Sequence, residues 1–252
     1  YVRARLADVA TRNITMNDIA ALPDIAGSQP DEPKTLAEAA YRRLRRDIIE
    51  GIHPPGEKLR VEHLKDHYAV GAGTLREALQ LLVTDALVVA QGQRGFRVAP
   101  ISLDDFEDIT RTRVLLETEA LKQSIECGDD AWEANVVAAF HMLSRAETKL
   151  EEGNEGNREE WELRNQNFHE VLISASPSRW CRHFQNILYL QSERYRRLSL
   201  FRQPISRDVH SEHQAILDAV LARDVEAATS ILTEHILRTL EAVRQIPSDV
   251  LS

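Results

Sequence analysis

Thr74-Leu75-Arg76-Glu77-Ala78-Leu79-Gln80-Leu81-Leu82-Val83 is followed closely by Leu87-Val88-Val89 and, past a Gln91-Gly92-Gln93-Arg94-Gly95 tip, by Phe96-Arg97-Val98. Leu75, Leu79 and Leu82 stand three and four residues apart, so they share one helix face and turn it inward. The two short β-branched and aromatic runs, joined by a basic tip that carries glycines, have the pattern of a hairpin. Upstream, Leu36, Ala40, Leu44 and Ile48 recur every four residues and mark an amphipathic helix that Gly51 ends. His53-Pro54-Pro55-Gly56 is a tight turn, because Pro fixes φ and Gly permits φ > 0. A short second helix runs through Val61, Leu64 and Tyr68, and Val70-Gly71-Ala72-Gly73 is expected to be a compact turn before the third. Three short helices and a hairpin over 34–100 predict a winged helix-turn-helix, a module that reads DNA.

The whole chain has 252 residues, 31 Lys+Arg, 40 Asp+Glu and a formal net charge of -9. That acidity speaks against nucleic acid only until it is divided. Residues 34–100 hold 11 basic and 8 acidic side chains, whereas 101–252 hold 17 and 27. A mildly basic block is therefore carried by an acidic one, as expected of a DNA-binding head on a sensor. No apolar run approaches the roughly 20 residues of a membrane helix, and no apolar core follows the first arginines as in a secretory signal. Two cysteines, Cys127 and Cys181, do not make a disulfide scaffold and fit a reducing cytosol. Residues 1–33, with the Pro23–Pro33 stretch rich in Pro, Asp and small residues, read as an arm or linker.

Residues 101–252 read as an all-helical domain, which makes the chain mostly α. Helices are expected at 104–125, 132–150, 158–174, 179–199, 206–222 and 225–244, broken by Cys127-Gly128, the polar loop 151–157, Ser176-Pro177, Pro204 and Arg223-Asp224. Six such helices make a bundle with a sizeable core. Asn165 and His169 lie four apart, on one face. If the last two helices form a hairpin at Arg223-Asp224, His213 and His235 each lie ten or so residues from the turn, at about 15 Å along adjacent antiparallel helices. Three imidazoles and one amide oxygen could then converge, a donor set that suits a divalent transition metal such as Zn, Ni, Fe or Mn. The alternative is that the histidines are hydrogen-bonded core residues.

The string I-x-x-G-x-x-x-P-G-x-x-L at Ile48–Leu59, L-R-E-A-L at Leu75–Leu79 and R-G-F-x-V at Arg94–Val98 resemble, in order and spacing, the DNA-binding domain of the GntR family. That resemblance implies that the third helix enters the major groove and the wing tip meets the adjacent groove or backbone. Arg76 becomes the chief candidate for a base or phosphate contact, with an ion pair to Glu77 or Asp85 as the alternative. Thr74 and the amides near Gly73 are candidates for phosphates, and Arg94 and Gly95 for the wing contact. The family often has an arginine where this chain has Gly71-Ala72-Gly73, a variant that looks most like regulators of carbon-starvation and dicarboxylate catabolism genes.

Asn165, Phe168-His169, Glu212-His213-x-x-Ile216-Leu217 and His235 resemble the ligand-binding domain, called FCD, of the FadR subfamily. Many members have Asp where Asn165 stands, and an amide coordinates more weakly than a carboxylate. Arg113-x-x-Leu116-Glu117 resembles that domain's R-x-x-L-E, whose arginine reaches the pocket and could hold a carboxylate effector; pairing of Arg113 with Glu117 is the alternative. Arg164, Arg194 and Arg197 are lesser candidates. The resemblances together imply a cytoplasmic bacterial transcription regulator. It would be a homodimer on a palindromic operator, acting mainly as a repressor of a catabolic operon and answering a small organic acid at a metal-containing pocket. A metal-dependent enzyme with a three-histidine site, or a DNA-binding protein without effector, are the other readings.

Overall fold

A computed structural model describes residues 33–151, 157–202 and 207–246; the arm at 1–33 lies, but for its last residue, outside them. The head contains α1 (Leu36–Ile49), β1 (Lys58–Leu59), α2 (Val61–His67), α3 (Ala72–Thr84), β2 (Val88–Ala90) and β3 (Phe96–Val98). Thr35 starts α1 by accepting the Glu38 amide on its hydroxyl at 3.1 Å. The sheet has the order β1-β3-β2, antiparallel throughout, with Val89 opposite Arg97 and Lys58 opposite the same residue on the other side. Leu44, Ile48, Leu59, Leu75, Leu79, Leu82 and Val98 close one apolar core.

Two features of the head depart from the sequence reading. The two-residue strand β1 is too short to show any alternation, yet it completes the wing. The turn before α3 also lies earlier than Val70–Gly73. The chain reverses at Ala69, at φ +52, Gly71 is the extended N-cap, and Ala72 and Gly73 already form the first turn of α3. A buried polar chain braces the same region: the Tyr68 hydroxyl donates to Asp47, while His53 bridges Tyr68 at 3.0 Å and Glu57 at 3.1 Å.

The second domain is a bundle of α4 (Leu103–Cys127), α5 (Asp130–Glu151), α6 (Asn157–Leu172), α7 (Arg179–Arg202), α8 (Val209–Leu221) and α9 (Val225–Arg244). Ser102, Asp208 and Asp224 cap α4, α8 and α9 with their side-chain oxygens. Arg223, at φ +56, makes the tight α8–α9 connection and ties it to α4 through the carbonyls of Ile125 and Gly128. Gly128 itself must be glycine, since a Cβ there would meet the Trp132 ring at 2.2 Å. In the bundle α5 packs on α6, α4 lies against α9 and α7, and α8 against α9. The expected helices are present, and on α4 the apolar Leu115 stands 69% exposed while Phe106, Ile109 and Leu121 are buried. No helix among the described residues is long and apolar enough to cross a membrane.

The head rests on α7. Arg45 meets Glu193 at 2.8 Å, Arg194 donates to the Ala99 carbonyl at 2.7 Å, Gln191 donates to the Asp85 carbonyl, and Arg197 lies 3.9 Å from Glu50.

Candidate functional site

On the head, α3 and the wing enclose a surface cleft of about 610 Å³ that brings together Lys58, Arg60, His63, Arg76, Arg94 and Gly95. Glu62 is the acidic residue among its walls. Arg76 and Arg94 are both exposed. Among the described residues Arg76 forms no ion pair with Glu77 or Asp85: Asp85 accepts the Tyr41 hydroxyl, and the carboxylate nearest in effect to Arg76 is Glu62, which Lys65 first and Arg76 in small part hold below the usual carboxyl range. Gly73 and Thr74 lie in the first turn of α3, where the N-cap Gly71 contributes no side-chain bond and the leading amides are left for another acceptor. Gly95 holds φ +89 and ψ -140, a region closed to residues with a Cβ, and so allows the wing to turn directly behind Arg94.

In the bundle, His169 of α6, His213 of α8 and His235 of α9 converge, with one ring nitrogen from each within 4.8 Å of the others. Their ring centroids are 5.8, 5.2 and 4.8 Å apart, and the three side chains are almost wholly buried. Each Nδ1 faces a carboxylate. His213 has Glu147 at 2.8 Å, His235 has Glu212 at 2.8 Å, and His169 has Glu117 at 3.7 Å. Such carboxylates fix the tautomer and aim Nε2 at a common point, the arrangement by which proteins orient imidazole ligands. At that point the Nε2 of His213 is buried without a hydrogen-bond partner. A buried, unsatisfied imidazole nitrogen among two others is explained by a missing electrophile, so the residues fit a divalent transition ion.

Electrostatics agree. Burial, reinforced by the charges of His235 and His213, holds His169 well below the usual imidazole range. Burial lowers His235 to about 3 despite its bond to Glu212. Both rings are therefore neutral, the form that binds a metal. Burial alone would raise Glu212, but hydrogen bonds from Arg207 and His235 outweigh it and hold the carboxyl far below its usual range. Arg207 also donates to the His235 carbonyl at 2.8 Å, and a cleft of about 600 Å³ along Arg207, Glu212 and Arg238 opens beside this corner.

Arg113 forms the ion pair with Glu117 that was the alternative to an effector contact. Its Nε donates to Glu117 at 2.7 Å, and Glu117 turns its other oxygen to His169, so the ion pair is itself part of the histidine site. The guanidinium lies 5.3 Å from the centre of the Tyr189 ring, and Arg196, paired with Glu162 at 3.0 Å, lies 4.4 Å from it. Asn165 is buried one turn before His169, and its amide nitrogen donates to the Tyr189 hydroxyl at 2.6 Å. Tyr189, Arg196 and Glu147 stand on helices that carry none of the three histidines, so no spacing within one helix connects them to the site, whereas Glu162, three residues before Asn165 and seven before His169 on α6, shares their face and does carry that signal. Of the lesser arginines, Arg194 and Arg197 turn to the head instead, and Arg164 has its Nε buried without a partner. His210, which is exposed, shares Glu147 with His213 at 2.7 Å.

Residues 36–98 match the family described as bacterial regulatory proteins, gntR family, and residues 108–238 match the FCD domain. The HTH-type transcriptional regulator BphR of Paraburkholderia xenovorans (strain LB400) is 48% identical over 212 residues, 84% of this chain and 86% of that protein. The HTH-type transcriptional repressor GlaR of Escherichia coli (strain K12) is 37% identical over 209 residues, 81% of this chain and 94% of that protein. Among solved structures, E. coli McbR/YncC superposes with a TM-score of 0.68 at 19% identity, over 84% of this chain and 98% of that one, which shows a shared fold.

Proposed function

Because the chain belongs to the GntR family of bacterial regulatory proteins and carries an FCD domain behind its helix-turn-helix, we propose that it is a FadR-type repressor of a catabolic operon, a cytoplasmic homodimer released from a palindromic operator by a small carboxylate. Its relatives are transcriptional regulators, not enzymes, so the three-histidine enzyme is set aside. Arg76 and the amides at Gly73 and Thr74 would take the major groove and its phosphates, and Arg94 and Gly95 the wing contact. His169, His213 and His235, with the Asn165 oxygen as a weak fourth donor, would hold the metal. Bound there, a divalent ion such as Zn, Ni, Fe or Mn supplies a Lewis-acid centre for one oxygen of the effector. Arg113, kept in place by Glu117, binds the carboxylate through its remaining N–H groups.

One observation carries this reading: α7 serves both domains. Tyr189 and Arg196 sit on its inward face beside the histidine site, while Gln191 and Arg194 leave the far face for the head, with Glu193 and Arg197 between. An effector that favours one placement of α7 shifts the heads by the difference of its affinities for the two placements. The test is an anisotropy titration of the full chain on its own upstream DNA, with organic acids added in the presence of Zn2+ and of a chelator. A specific complex that salt weakens and one acid dissociates is expected. Absence of any sequence preference at any salt concentration overturns the reading.

A further inference from the structure

The inward face of α7 is polar along its length. Gln185, Tyr189, Ser192 and Arg196 follow the i, i+4, i+7, i+11 spacing of one helix face, and all four are buried. Three of them are engaged: Tyr189 by Asn165, Ser192 by the Leu188 carbonyl at 3.0 Å, and Arg196 by Glu162. Gln185 is the exception. It is 1% exposed, and its amide nitrogen has no hydrogen-bond partner. A buried amide left unsatisfied is costly to folding and needs a reason.

Its place in the bundle supplies one. Tyr195 meets Asp105, Arg113 lies over Tyr189, and Ser176 meets Gln123, which fixes α4 and α7 antiparallel with Gln185 level with Glu117. Asn165 with Tyr189, and Gln166 with Asn186, set α6 so that Gln185 is also level with His169. Gln185 therefore lies buried at the level of the histidine site, about one helical turn, roughly 5.4 Å, from the level of Arg113. Arg113 spends its Nε on Glu117 and makes no hydrogen bond from either terminal nitrogen among the described residues. Two sets of free donors thus face the same interior, a cationic one and a neutral one.

We propose that Gln185 determines effector specificity, donating its amide to a second oxygen acceptor of an acid whose carboxylate is held by Arg113. The class selected is a short acid with a carboxylate at each end, or a carbonyl or hydroxyl in the second place. This rests on the effector pocket proposed above and extends it to a residue that neither the histidine motif nor the Arg-x-x-Leu-Glu motif includes.

The experiment is calorimetric titration of the full chain, supplied with one equivalent of Zn2+, with succinate, glutarate and adipate and with butyrate, valerate and hexanoate. The wild type is expected to bind one diacid at least tenfold more tightly than the monoacid of equal length. Gln185→Leu should weaken that diacid about tenfold and leave the monoacid within about twofold. Gln185→Glu, which keeps the shape and replaces the donor by a carboxylate, should weaken the diacid further, and it stands in should the leucine variant not fold. Zinc content measured by elemental analysis should be equal in all three proteins. Binding of both acids unchanged in the variants, or equal binding of diacid and monoacid by the wild type, overturns the role of Gln185 and leaves the effector pocket standing. No binding of any acid by the wild type overturns both.

Discussion

Arg194 leaves the helical bundle and donates to the carbonyl oxygen of Ala99, 2.7 Å away, and Ala99 directly follows the wing strand β3. Arg194 is 5% exposed, so the bond is shielded from water and holds the end of the wing to α7. One turn away in each direction the same helix clasps the head again, through Gln191 and Arg197.

Cutting these clasps should separate sensing from DNA binding. In the wild type, adding Zn2+ is expected to slow hydrogen exchange both in the bundle and in residues 34–100. In Arg194→Ala combined with Glu193→Gln, the bundle should still respond and the head should not. The double variant loses two contacts of charged groups, Arg194 with the Ala99 carbonyl and Arg45 with Glu193, at roughly 1–3 kcal/mol each against a typical stability of about 5–15 kcal/mol. A head that responds equally in both proteins contradicts a role for α7.

The orphaned nitrogen of His213 gives a sharper test of the metal site. His213→Ala should lower the Zn2+ affinity at least tenfold in a chelator competition, with circular dichroism and DNA binding nearly unchanged. Glu212→Gln, which keeps the histidines but loosens His235, should cost roughly 10–100-fold in the same assay. Unaltered metal affinity in both would return the three histidines to the ordinary core.

Stability of the chelated protein should fall on acidification. His235 has a folded value of about 3 against 6.5 unfolded, so the unfolded chain takes up the proton first. Its contribution is fully present above about 6.5 and is lost progressively as pH drops towards 3. His169, displaced in the same direction, adds to this, and Glu212 joins below its unfolded value of 4.5. The melting temperature should be on the order of 5–10 °C lower at pH 5 than at pH 7, and His235→Asn should shrink that difference. A melting temperature indifferent to pH in this range contradicts neutral buried imidazoles.

On the head, Arg76 and Arg94 should behave differently. Arg76→Ala is expected to lose about 1–3 kcal/mol of operator affinity and to relax preference at one base pair. Arg94→Ala should weaken all sequences alike and reduce the salt slope by about one. Both side chains are exposed, so thermal stability should hold in each. A base-specific loss from Arg94→Ala would exchange their roles.

Much of this was legible because helices state their inward faces locally. The four-residue recurrence of Leu36, Ala40, Leu44 and Ile48 is an amphipathic stripe, and the structure buries all of it but exposed Leu36 at the first turn. His213 and His235 could be placed level from their distances to Arg223-Asp224, and they are neighbours. What failed was the start of α3, since Gly71-Ala72-Gly73 resembles a turn by composition, while the real reversal is at Ala69, a residue type that gives no hint of positive φ. Glu147 lies 66 positions from the His213 it orients, and Tyr189 is 24 from Asn165. Such pairs arise when helices pack, and a single sequence records no trace of which helices will.

The hold of α7 on the head also bears on modularity. Arg45, Glu50, the Asp85 carbonyl and the Ala99 carbonyl all belong to the head, yet their partners are on one helix of the other domain. A head transplanted from a relative would keep the two main-chain carbonyls but bring its own side chains to positions 45 and 50, and with them its own charge pattern against α7. Chimeric regulators built by joining two halves at residue 100 should therefore bind their operators but answer no ligand, unless the matching face of α7 travels with the graft.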